Sequence, residues 1–128
     1  MGEANIALTE AEWEVMECLW AHAPCTGREV VQYLAEKMGW ARSTSLTLLR
    51  RLEAKGAVAE EAGGEVKTFR PVLLKEEAAV RETENLLGRA YHGSLSLLVS
   101  AMTRRQCLSQ AEIDELYELL REMEAKHD

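Results

Sequence analysis

The residues best suited to chemistry lie between Arg42 and Lys55. At about 100° per residue, Ser43, Thr47 and Arg50 share one face of a helix, with Thr44, Leu46 and Arg51 on its flanks. Ser45, Leu48, Leu49 and Leu52 fall on the opposite face. The outward face is small and hydroxylated near its start and basic near its end. Short hydroxyls let a helix backbone approach a groove and bond to base edges or phosphate oxygens. An arginine adds a planar fork that fits guanine or phosphate. Such a face recognises by hydrogen bonds and breaks no covalent bond. A solvated polar face has similar composition, so the surrounding elements must decide between the two.

Other reactive side chains offer less. Cys18, His22 and Cys25 are spaced four and three apart, which can bring two thiolates and an imidazole together at a helix end. The plainer reading is a buried Cys18, a surface His22 and a Cys25 packed before the next helix, so no metal or cofactor is expected. Cys107 stands alone near the C-terminus. There is no glycine-rich phosphate loop, no histidine-rich ligand pattern and no nucleophile motif. The many carboxylates sit at helical surface spacings. An enzyme is therefore not expected.

The elements that position the candidate face can be read from capping signals. Thr9 and Glu12 form a capping box with Leu8 and Trp13 at the staple positions. That predicts a helix ending near Ala21, ahead of Pro24. Thr26 and Glu29 open a second helix, with Val30, Leu34 and Met38 on one face and a stop at Gly39. A third starts near Ala41 to Ser43 and ends at Gly56, a residue suited to a left-handed cap. The short gap around Gly39 is that of a helix-turn-helix. Residues 57–71 then read as a hairpin turning at Gly63-Gly64 with positive φ and ending at Pro71. Three helices and a hairpin make a winged helix, and that context favours the recognition reading of the third helix.

After Pro71 the pattern is helical again, from Lys75 to about Tyr91, from Ser94 to Thr103, and from a third capping box at Ser109 and Glu112. Leu95, Leu98, Val99 and Met102 form an apolar stripe at helical spacing. Leu116 and Leu120 lie on the apolar face of the last helix. A domain this thin cannot hide so many apolar groups within one chain, so a second subunit is their natural cover. The expected fold class is thus mainly α with a small β hairpin: a winged helix-turn-helix domain over residues 1–72, followed by a three-helix dimerisation domain over residues 73–128.

Composition sets bounds on this reading. The 128 residues carry 15 Lys and Arg against 22 Asp and Glu, a formal net charge of −7. That balance opposes nucleic-acid binding until the charges are placed. From Lys37 to Lys55 the basic residues Lys37, Arg42, Arg50, Arg51 and Lys55 face a single acid, Glu53. No stretch is long and apolar enough for a membrane, and the first residues lack a signal-peptide pattern, so no membrane insertion and a cytoplasmic location are expected.

Several short motifs then add up. Leu8 to Met16 (Leu-Thr-Glu-Ala-Glu-Trp-Glu-Val-Met), Leu19-Trp20, Trp40, Thr44, Leu46 to Leu49, Arg51-Leu52, Lys55-Gly56 and Pro71 carry a joint pattern, continued by Gly93 to Leu95, Leu98-Val99 and Leu108-Ser109. Together they resemble the BlaI/MecI/CopY family of winged-helix repressors, the penicillinase repressor-like proteins, over about Leu8 to Met123. The resemblance implies a homodimeric repressor on a palindromic double-stranded DNA operator. Its DNA-facing residues would be Ser43, Thr44, Thr47 and Arg51, with Arg50 beside them and Lys67 on the wing. In the β-lactam-responsive branch a membrane-bound sensor protease triggers cleavage in the dimerisation domain, which would fall here at Ala101-Met102. This chain lacks the Asn-Phe pair found there. It also departs from the family at Ser43, Ser45 and Glu65. A single Cys107 does not make the paired Cys-x-Cys motif of the copper-responsive branch. The acidic balance and Glu65 leave one rival reading, a winged helix used for protein–protein interaction.

Overall fold

The computed structural model describes residues 6–105 and 108–127. Cys107 and the first five residues, which belong to the segment read for a leader, lie outside them. Six helices and three short strands follow in the order α1 (Glu10–His22), β1 (Cys25–Thr26), α2 (Gly27–Met38), α3 (Arg42–Lys55), β2 (Val58–Glu61), β3 (Thr68–Pro71), α4 (Lys75–Ala90), α5 (Leu95–Arg104) and α6 (Gln110–Lys126). No helix among the described residues is long and apolar enough to cross a membrane.

Helix starts follow the capping chemistry. Thr9, Thr26 and Ser109 each accept from the backbone N–H three residues on, and Glu12, Glu29 and Glu112 reach back to the cap N–H. Gly39 and Gly56 close α2 and α3 with φ of 73° and 85°. Both are left-handed conformations that a Cβ disfavours. Helix α1 runs one residue past the expected stop and ends before the cis Ala23–Pro24 bond.

The hairpin differs from its sequence reading in two respects. Neither Gly63 nor Gly64 has a positive φ, and a loop over residues 62–67 replaces the tight turn. A primed two-residue turn needs strands that pair right up to it, whereas the ladder here ends at Glu61 opposite Thr68. The sheet also has a third member. Cys25 and Thr26 pair antiparallel with Phe69 and Thr68, giving the strand order β1-β3-β2. A two-residue strand leaves no periodic pattern; it exists only through its partner.

The core of the winged unit is aliphatic. Val15, Met16 and Leu19 of α1, Val30 and Leu34 of α2, and Leu48, Leu49 and Leu52 of α3 are buried together with Cys18, Cys25, Ala57 and Val58. Met38 is 39% exposed and takes no part in that face, because α2 ends there. Ala57 joins the hairpin to the following segment: its carbonyl accepts from the N–H groups of Val72 and Leu73, at 2.8 and 3.1 Å. The Trp20 indole donates to the Leu73 carbonyl at 2.9 Å. Leu73 and Ala78 are buried in the same core. The chain accordingly divides into compact units within α4, Met1–Thr83 and Glu84–Asp128, past the 72/73 boundary expected from the sequence.

One charged group is fully buried inside the winged unit, along with the smaller hydroxyl of Ser45. Glu12 is fully buried and accepts from Lys55 Nζ at 2.6 Å and from the Thr9 amide at 2.9 Å. Burial alone would raise its carboxyl, but the Lys55 and Thr9 bonds, with Arg51 nearby, outweigh it and hold the carboxyl below its usual value of 4.5. A depressed carboxylate contributes stability above its unfolded value, and that contribution is lost as pH falls through the folded one. Lys55→Met leaves the charge buried and unpaired. It should lower stability by about 3 kcal/mol at neutral pH, the lower end for a broken buried pair, since Lys55 keeps 32% of its side chain in water. The loss should shrink as pH falls below 4.5. Urea unfolding followed by tryptophan fluorescence tests this, all three tryptophans (Trp13, Trp20, Trp40) being in the winged unit.

Candidate nucleic-acid interface

Helix α3 divides as its periodicity requires. Ser45, Leu48, Leu49 and Leu52 are buried, while Ser43, Thr44, Thr47, Arg50 and Arg51 are exposed. Leu46 is half-buried. Its Cδ2 and the Phe69 ring both lie close over Gly27, where an added Cβ would meet them at 3.8 and 3.7 Å. Leu46 thus belongs to the packing beside the face, which leaves the face itself hydroxylated and basic.

Ser43, Thr44, Thr47, Leu48 and Arg51 line a shallow open depression of about 280 Å³. The start of α3 differs from the other helix starts around it. Ala41 supplies no side-chain cap, and the first turn holds no acid. In α1 and α2 the same position is closed by Thr9 with Glu12 and by Thr26 with Glu29. An uncapped helix start presents backbone N–H donors and the positive end of the peptide dipoles. Ser43 and Thr44 sit on that turn and Arg51 two turns on, so donors run along the exposed side of one helix.

Charge is distributed to match. The four lysines of residues 6–83 each contact a glutamate: Lys37 with Glu14 at 2.9 Å, Lys55 with Glu12, Lys67 with Glu60 at 3.7 Å and Lys75 with Glu17 at 3.1 Å. Among the described residues, Arg42, Arg50 and Arg51 of α3 form no such pair. The acids of α1 therefore neutralise lysines of other elements, and three of the cations left without such a pair among the described residues lie on α3. Sequence reading found the basic segment but counted Lys37 and Lys55 as part of it. Pairing between elements distant in the chain leaves no local signal.

The thiols are arranged differently. Cys18 and Cys25 are both buried and free, and lie close enough for one thiol to bond to the other. Burial, with Cys25 adjacent, pushes the Cys18 thiol up to about 12, and burial also raises Cys25. His22 is exposed and packs edge-on against Tyr33, with ring centroids 5.5 Å apart. No metal-binding group of three such residues occurs among the described residues.

The helices of the second unit carry the apolar stripe in the open. Leu95 is 56% exposed, Leu120 also 56%, and Val99, Met102 and Leu116 between 37% and 39%. Leu98 is half-buried. Leu95, Val99, Ile113, Leu116, Leu120 and Met123 line an apolar groove of about 730 Å³ between α5 and α6. Ala101 is half-buried and Met102 exposed, both within α5.

Comparison with known proteins fits this geometry. Residues 8–122 match the family described as penicillinase repressor. The penicillinase repressor of Bacillus licheniformis is 32% identical over 115 residues, covering 90% of each chain. The methicillin resistance regulatory protein MecI of Mammaliicoccus sciuri is 24% identical over 120 residues, 94% of this chain and 98% of that one. Among solved structures, Bacillus licheniformis BlaI in its monomeric form, in complex with the blaP half-operator, superposes with a TM-score of 0.52. Its identity is 30%, over 56% of this chain and 88% of that one.

The thiol environment gives a direct check. Peptide mapping after iodoacetamide treatment at pH 8 should leave Cys18 and Cys25 unmodified in the folded protein, and both should react once urea unfolds it. Rapid native labelling of Cys18 would contradict its burial.

Proposed function

The chain belongs to the penicillinase repressor family, and we propose on that basis that it is a DNA-binding transcriptional repressor acting as a homodimer on a palindromic operator. Exposed Ser43, Thr44, Thr47 and Arg51 along the uncapped helix α3 are the observation that carries this reading. Helix α3 enters the major groove, where the hydroxyls and the arginine fork meet base edges and phosphate, and Arg50 stands beside them. The hairpin with Lys67 lies next to the backbone. Repression follows from occupancy of the promoter and needs no reaction by the protein, so no catalytic residue, cofactor or metal is assigned. The protein works in the cytoplasm, where its DNA is.

Dimerisation supports that role in two ways. Leaving Leu95, Leu98, Val99, Met102, Leu116 and Leu120 in water forgoes roughly 25 cal/mol for each Å² that a partner would cover. Two linked half-sites also supply the affinity that one small acidic unit lacks. Relief of repression by a membrane-bound sensor protease is assigned to Ala101-Met102, in the apolar helix α5. Cleavage there would divide the helix that holds the subunits together.

Selection of duplexes from a random pool by the purified protein, at two salt concentrations, tests the reading. Recovery of a palindrome with half-sites about one helical turn apart supports it. No enrichment, with the protein folded and dimeric, moves the balance to the protein-interaction reading. Arg51→Ala and Thr47→Ala should each abolish specific binding and leave the dimer intact. Leu98→Asp should give folded monomers that bind poorly. Normal operator binding by both α3 variants would place recognition elsewhere.

A further inference from the structure

The wing carries its own counter-charges. Strand β2 carries Glu60 and Glu61, both exposed and on opposite faces of the hairpin. Arg70 Nε lies 2.9 Å from a Glu61 carboxylate oxygen, and Lys67 Nζ lies 3.7 Å from one of Glu60. The register, with Glu60 opposite Phe69 and Glu61 opposite Thr68, sets two diagonal pairs, Glu60 with Lys67 on one face of the hairpin and Glu61 with Arg70 on the other. Lys67 is the last residue of the loop before β3, and Arg70 lies within β3. Glu65 adds a third acid at the tip, so residues 58–71 hold three carboxylates and two cations. The hairpin of this protein is therefore net negative, beside a helix whose arginines have no acid partner among the described residues.

Resting on the DNA-binding reading, we propose that Glu60 and Glu61 are specificity-determining residues that withhold Lys67 and Arg70 from phosphate. Affinity for any duplex scales with the phosphates neutralised, and each contact contributes about 0.9 to the slope of log affinity against log salt. A wing that neutralises itself adds nothing to that sequence-independent term. What remains is the contact of α3, which reads bases. The device sacrifices overall affinity and raises the ratio of specific to non-specific binding, the quantity that decides where a repressor sits among many competing sites. Exposed ion pairs are individually weak, so the pairs act here through charge cancellation rather than by stiffening the hairpin.

The test measures binding of the full-length protein to a fluorescein-labelled 30-base-pair duplex of random sequence, by anisotropy across a salt series. Glu60→Gln with Glu61→Gln should raise affinity by about tenfold at low salt and steepen the slope by up to about 1.8, two phosphates' worth. Glu65→Gln removes an acid that pairs with neither cation, and it should leave the slope unchanged. Arg70→Gln should also leave the wild-type slope unchanged, since that cation is already neutralised by Glu61. A slope that falls by about 0.9 in this last variant overturns the proposal, because that wing cation would then already be on phosphate. An equal steepening by Glu65→Gln overturns it too, since simple repulsion would account for the result. Failure of all four proteins to bind the duplex even at low salt, with circular dichroism showing them folded, rejects the DNA-binding reading itself and the wing proposal with it.

Discussion

A single buried carboxylate ties together the two ends of the winged unit. Glu12 closes the capping box that starts α1, and through Lys55 it holds the last turn of α3. Lys55 also donates to the Ala7 carbonyl at 2.8 Å, so the chain leading into α1 meets the same ammonium. Taking a carboxylate out of water is costly unless its lone pairs are met, and here one oxygen receives both bonds while the other has no protein partner. That expense fixes the angle between α1 and α3 more strictly than aliphatic packing would. Leucines slide past one another at little cost, whereas a charged pair at 2.6 Å does not. The exposed side of α3 is aimed by this contact as much as by Leu48, Leu49 and Leu52 beneath it.

Lysines of the winged unit meet glutamates on α1 and on the wing, while Arg42, Arg50 and Arg51 of α3 form no such pair among the described residues. A net charge of −7 describes the chain as a whole and says little about the field over α3. Lys75 shows how finely the neutral surface is built. It reaches Glu17, lies over the Trp20 ring at 5.9 Å, and Glu17 also accepts from the Trp13 indole.

Much of the architecture could be read from residues a few positions apart. The boxes at Thr9, Thr26 and Ser109 set three helix starts, the glycines at 39 and 56 set two ends, and the α3 period sorted buried from exposed side chains. What escaped the reading depends on residues far apart. Strand β1 is defined by Phe69 and Thr68, more than forty positions away, and by nothing in Cys25 and Thr26 themselves. Gly63-Gly64 suggested a tight turn because its composition allows one, yet the register of β2 on β3 leaves a longer loop. The pairing of Lys67 and Arg70 was equally hidden. The exposed side of α3 was legible as a face, and that its arginines have no acid partner among the described residues became visible only with the other elements in place.

The three-stranded sheet has a consequence for how copies of this chain can meet. One outer strand is β1, two residues long and running straight into α2; the other is β2, four residues long and ending in Glu60 and Glu61. Short, charged edges are poor templates for the addition of a foreign strand. The winged unit is thus protected against sheet-to-sheet aggregation, even where many copies crowd on neighbouring DNA. Much of the exposed apolar surface lies instead on α5 and α6, away from any strand edge.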